Sequence, residues 1–138
     1  MSETKPFQLS SSVDIARRVK EDHGRILALF QQYRASPPDS RQALVEQILR
    51  ELVSHLEMEE DLVFEKVRKS GPAGRERTGA TEVEHEEIKA MILELQQFEG
   101  DDDQAWDEFF EDVMQSVQVL FTSEEHELLP LVERSLDA

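Results

Sequence analysis

Five side chains in this sequence have the types and spacing of metal ligands: His23, His55, Glu59, His85 and Glu124. The clearest are His55 and Glu59, in the stretch His55-Leu56-Glu57-Met58-Glu59-Glu60. That stretch lies inside an apolar repeat of Leu44, Val45, Ile48 and Leu52, continued by Leu62, Val63 and Val67. Apolar positions three and four apart mark one buried face of a helix. His55 and Glu59 fall on that face where the repeat asks for an aliphatic residue, and residues four apart point the same way. A buried carboxylate without a partner is very costly, so the rest of the chain must supply one.

Three further helical stripes each carry an ionisable residue. The first, from a Ser11–Asp14 capping box to about Arg34, reads Ala16, Val19, His23, Ile26, Leu27, Phe30. The segment Ala35-Ser36-Pro37-Pro38 breaks it. Asp39 or Ser40 is then expected to cap the helix of the opening stretch, which ends near Lys66, Arg68 and Lys69. Ser70–Gly79 reads as a connection. A third stripe follows, Thr81, His85, Ile88, Ile92, Leu95, ending at Gly100. Asp101-Asp102-Asp103 favours the start of a fourth helix with Trp106, Phe110, Val113, Val117, Leu120, Phe121, Glu124 and Leu128. Pro130 falls late in this pattern, where it is expected to kink or shorten the last turns.

Depth along the bundle bears on the third helix. From Glu59 to Lys69 a helix rises about 15 Å, yet His85 is only four residues past Thr81. The third helix must therefore begin nearer Gly74, or residues 70–80 must pack as a lid on the bundle end. No period-two run of β-branched residues occurs, so no strands are expected. The reading is an all-α, antiparallel up-down-up-down four-helix bundle over residues 12–138, with a polar N-terminal arm at 1–11.

Antiparallel packing brings His23, His55, Glu59, His85 and Glu124 to a common level. A single histidine on a helix stripe is usually a satisfied core residue. Three imidazoles and two carboxylates spread over four stripes instead have the composition of a dinuclear site, in which carboxylates bridge two metals about 3.5–4 Å apart. His126, two residues past Glu124, is expected to face solvent. Glu60 and Glu125 are expected at the surface or just outside the ligands.

Composition narrows the alternatives. The chain has 138 residues with 31 acidic and 15 basic side chains, a formal charge of −16. An acidic surface repels nucleic acid and anionic membranes, so neither is an expected partner. No apolar run is long enough for a membrane span. Met1–Ser12 lacks the apolar core of a secretory signal, so a cytoplasmic location is expected. Cysteine is absent, which excludes disulfides, thiol nucleophiles and cysteine-held clusters. A metal would be held by His, Asp and Glu, which suits iron, manganese or zinc.

The motifs resemble those of the hemerythrin-like domains, the His-His-Glu cation-binding type, over essentially the whole chain. They are Glu21-Asp22-His23-Gly24-Arg25-Ile26, His55-x-x-x-Glu59-Glu60-x-x-Val63-Phe64, Glu84-His85-Glu86-Glu87-Ile88, and Leu120-x-x-x-Glu124-Glu125-x-x-Leu128-Leu129-Pro130. Ferritin-like di-iron bundles place Glu before His by three instead. The resemblance implies two iron ions, His23 and His55 serving one, His85 and a fourth-helix His the other, with Glu59 and Glu124 bridging. This sequence has Leu120 where that fourth-helix His belongs. It has Thr81 at the additional His of oxygen carriers.

Three functions follow. A di-iron module could bind or sense oxygen, nitric oxide or peroxide, or handle iron, since an open coordination position serves small-molecule chemistry. A redox enzyme acting on peroxide or nitric oxide would use the same position. A bundle with a partly degenerate site is the third. Retention of both carboxylates argues against it, because an unpaired buried charge costs several kcal/mol. Metal binding or sensing is favoured over catalysis.

Overall fold

The computed structural model describes residues 12–98 and 103–135 of the chain. Helix α1 spans Ser12–Ala35. After Pro37, one 3₁₀ turn at Pro38–Ser40 leads into α2, which runs as α-helix over Arg41–Met58. It continues through a π-helical segment, Glu59–Phe64, to a last α turn at Glu65–Arg68. Helix α3 is Pro72–Gln96. Helix α4 starts at Asp103–Ser123, passes through a second π-helical segment at Glu124–Leu128 and ends in Leu129–Ser135. No strand occurs among the described residues. Short connections between successive long helices give the up-down-up-down four-helix bundle that the stripes predict.

The third helix begins at Pro72, so most of the stretch expected as a connection, up to Gly79, is helix. Of the two routes open to this segment, the chain takes the early start. Gly71 makes the turn, with φ at +134°, a conformation that disfavours any side chain. Proline at the first helical position loses no bond, because that N–H would be unpaired anyway. Gly74 then packs against the end of α2: a Cβ there would lie 2.0 Å from the Val67 carbonyl oxygen.

Other boundaries differ in detail. Ser40 stands at the start of α2 but makes no side-chain cap bond. Ser11, the polar arm at 1–11, Gly100 and Asp101–Asp102 lie outside the described residues. Pro130 does not end α4. Its ring would crowd the carbonyl of residue 126 in a regular helix. The wider π turn just before it, in which the Leu129 N–H donates to the Glu124 carbonyl, accommodates the ring.

Apolar side chains form two clusters. The larger gathers Ile26, Phe30, Ile48, Leu52, Leu56, Ile88, Phe110, Val117 and Phe121. The smaller gathers Ile15, Val19, Val63, Phe64, Val67, Leu128 and Val132. Each fully buried Leu, Ile or Phe contributes roughly 1.5–3 kcal/mol by leaving water. Between the clusters in sequence, on α1, α2 and α4, sits an ionisable residue: His23 between Val19 and Ile26, Glu59 between Leu56 and Val63, Glu124 between Phe121 and Leu128. The bundle is therefore two dry layers with one polar layer sealed between them.

Candidate metal centre

The five residues expected from spacing meet in that polar layer. His23, His55, Glu59, His85 and Glu124 are each no more than 2% exposed. The His23 Nε2 lies 3.0 Å from Glu124 Oε1. His55 Nε2 is 3.2 Å from Glu59 Oε1. His85 Nε2 reaches both carboxylates, 2.8 Å from Glu124 Oε2 and 3.4 Å from Glu59 Oε1. All three imidazoles thus aim Nε2 inward at a pair of carboxylates, one from α2 and one from α4.

Each inward carboxylate begins a π-helical segment. A π turn holds one residue more than an α turn, and such bulges recur at functional sites. The widened turn lets Glu59 face the centre while Val63, Phe64 and Val67 beyond it still face the core.

The outer nitrogens are held as firmly. His55 Nδ1–H donates to Asp22 Oδ2 at 3.0 Å, His85 Nδ1–H to Glu60 Oε2 at 3.0 Å, and His23 Nδ1–H to Glu125 Oε2 at 2.7 Å. Every one of these bonds crosses to a neighbouring helix: α1 holds α2, α2 holds α3, and α4 holds α1. Carboxylates on the far ring nitrogen fix the orientation of an imidazole and raise its basicity toward a metal. Cations back two of them. Arg18 and Arg25 reach Asp22, and Lys89 reaches Glu60. Phe121 stacks on the His23 ring at 3.7 Å between centroids, and Phe64 leans on His85.

Protonation follows from this arrangement. Burial opposes charge on His55, but Asp22 and Glu59 outweigh it and hold the imidazole up at about 9. For His85, burial is outweighed by Glu124 and Glu59, and the group is held at about 10. Burial pushes Glu59 up, yet the His55 and His85 imidazoles keep it well below the usual carboxylate range. Burial and then the Glu59 charge push Glu124 the other way, upward.

Three buried atoms here lack a hydrogen-bond partner: His55 Nε2 and both carboxylate oxygens of Glu59. Four residues, His23, His55, Glu59 and Glu124, each offer a ligand atom within 4.8 Å of one another. Buried polar atoms without partners are costly. A cation liganded by imidazole nitrogen and carboxylate oxygen satisfies all three at once, so the residues present fit a metal.

The Hemerythrin HHE cation binding domain family matches residues 14–132. The chain belongs to this family. Comparison with curated proteins and with solved structures returns no match.

Within this hemerythrin domain, the remaining expectations sort as follows. Leu120, the departure on α4, is buried in the larger apolar cluster one turn before Glu124. Thr81 is buried and its hydroxyl donates back to the Arg77 carbonyl at 3.0 Å. His126 is exposed, as expected. Glu60 and Glu125 are the outer carboxylates of His85 and His23. Glu82, three residues before His85 on the same helix, pairs with Arg68 at the surface. Asp22 received no role from its spacing, although it sits inside the first motif. Its signal was adjacency: each outer carboxylate stands next to an inner site residue, Asp22 to His23, Glu60 to Glu59, Glu125 to Glu124. One residue along a helix is about 100° round it, which turns the side chain toward the adjoining helix.

No helix of the described residues is long and apolar enough to cross a membrane.

Proposed function

We propose that this hemerythrin domain holds a non-haem di-iron centre on His23, His55, Glu59, His85 and Glu124, and uses it to bind or sense a small ligand such as oxygen, nitric oxide or peroxide, or to handle iron. The observation that carries the reading is Glu59: a fully buried carboxylate whose two oxygens have no hydrogen-bond partner, facing imidazole nitrogens of α2 and α3. Glu59 and Glu124 would bridge, and the imidazoles would take terminal positions. Bound iron would supply Lewis acidity and redox chemistry toward the small ligand.

The two positions are unequal in this reading. His23, His55, Glu59 and Glu124 converge tightly, whereas the place on α4 one turn before Glu124 is taken by the buried Leu120, which has no lone pair. An open position next to an aliphatic wall suits a small apolar molecule. Besides the centre's own residues and Asp22, the buried polar side chains among those described are Thr78 and Thr81. Glu84 adds one buried carboxylate oxygen without a partner; with the fully buried carboxylates and imidazoles all at the centre, binding or sensing is favoured over catalysis.

The test is metal analysis and visible absorption of protein purified in air without a metal-binding tag. Iron with a carboxylate-bridged di-iron spectrum is expected. Protein that binds no iron after anaerobic addition of ferrous ion would exclude the reading.

A further inference from the structure

A second site opens on the outer face of the α1–α2 pair. Arg18, Asp22 and Arg25 lie four and three residues apart on α1, and Arg50, Glu51, Ser54 and His55 lie one turn apart on α2. Together they line a cavity of about 240 Å³ whose floor is the Asp22–His55 pair. Three guanidiniums in one small cavity are unexpected in a chain with 15 basic and 31 acidic residues.

The carboxylates beneath them use few of their donors. Arg18 contacts Asp22 through Nε alone. Arg25 uses Nε for Glu51 and Nη1 for Asp22. Arg50 and Ser54 are exposed, and the Arg50 charge acts on the neighbouring Glu51 without closing to an ion pair among the described residues. A guanidinium carries five N–H donors in a fixed fork that matches the oxygens of phosphate and carboxylate. Both terminal amino groups of Arg18, Nη2 of Arg25 and the whole Arg50 fork remain for a guest. Three positive groups face two negative ones here, and Asp22 is already committed to His55.

We propose that this cavity binds a small oxyanion with at least two anionic oxygens, a phosphate or a dicarboxylate, held by Arg18, Arg25, Arg50 and Ser54. The site stands on these side chains alone and does not depend on metal at the centre. The guest would share Arg18 and Arg25 with Asp22 and would sit over the Asp22–His55 pair.

The experiment is calorimetric titration of the purified protein, at physiological ionic strength, with inorganic phosphate and separately with succinate. Saturable binding of one of them is expected, and the better probe names the class. Arg50→Gln should weaken it about tenfold, the scale of one charge-assisted contact. Arg17→Gln, on the same helix but outside the cavity, should leave it unchanged, and both variants should melt like the parent. No saturable binding of either probe, no loss in Arg50→Gln, or an equal loss in Arg17→Gln would overturn the proposal.

Discussion

Glu59 and Glu124 occupy equivalent places on different helices: each opens a π-helical segment, and each turns its carboxylate toward His85 Nε2, at 3.4 and 2.8 Å. Under the di-iron proposal they are shared by both metals. Glu59→Gln keeps the shape but removes the charge, and should abolish binding of both ions. Bound metal stabilises a fold by mass action, so the melting temperature of the parent should drop on adding chelator and that of the variant should not. A variant that kept two metals and the full chelator-sensitive shift would rule out a bridge at Glu59.

The outer carboxylates should matter unequally. Asp22 has a side chain only 4% exposed and is tied to two guanidiniums, while the Glu125 side chain is 38% exposed. Water can replace Glu125 on His23 far more easily than it can replace Asp22 on His55. Asp22→Ala should lower metal affinity about 10–100-fold, the range for lost outer partners of metal-bound imidazoles, and Glu125→Ala by less. Competition with a chromophoric chelator measures both, and the reverse order would refute the ranking.

Leu120→His restores a lone pair one turn before Glu124. It should raise affinity at the position beside His85 and slow exchange of azide there. Stepwise metal titration of parent and variant, with azide binding followed by absorbance, reads both effects. Equal affinities for two metals in the parent, unchanged in the variant, would contradict the inequality argued from Leu120.

The only tyrosine of the chain gives a clean pH test. Burial, then the bond that the Tyr33 hydroxyl donates to Asp107 at 2.7 Å, push its pKa above the ordinary value of 10.0, against the opposing Arg41 charge. A raised folded pKa favours the protonated form. The stabilisation is therefore complete below about pH 10 and is lost as pH climbs toward the folded value. Phenolate absorbance should titrate well above 10 in folded protein and near 10 in denaturant. A midpoint near 10 in the folded state would remove Tyr33 from the stability balance.

The level of the site was legible because a 3.6-residue period fixes which side chains share a face. His23, His55, Glu59, His85 and Glu124 each interrupt an apolar stripe, and no tertiary information was needed to see it. The start of the third helix was half legible. The stripe places Thr81 only four residues before His85, but the rise of α2 past Glu59 required an earlier start, and Pro72 supplies it. The π segments left no such trace. They insert one residue without breaking the apolar alternation, and only Pro130 hinted at irregularity in α4. The partners of the Nδ1 atoms and the outward turn of Glu82 depend on how adjoining helices are rotated against each other. Stripe reading does not reach that relation.

The bonds of the polar layer also differ in how far along the chain their partners lie. Asp22 meets His55 across 33 residues and Glu60 meets His85 across 25, so both pairs can form once α3 has been made. His23 waits for Glu124 and Glu125, 101 and 102 residues downstream. Until then the nascent chain can offer Glu59 and its imidazoles but no second inward carboxylate. The last helix therefore supplies the group that completes the centre. A chain lacking α4 would hold His23, His55, Glu59 and His85 but neither Glu124 nor Glu125, so the pair of inward carboxylates is complete only once α4 packs on α1.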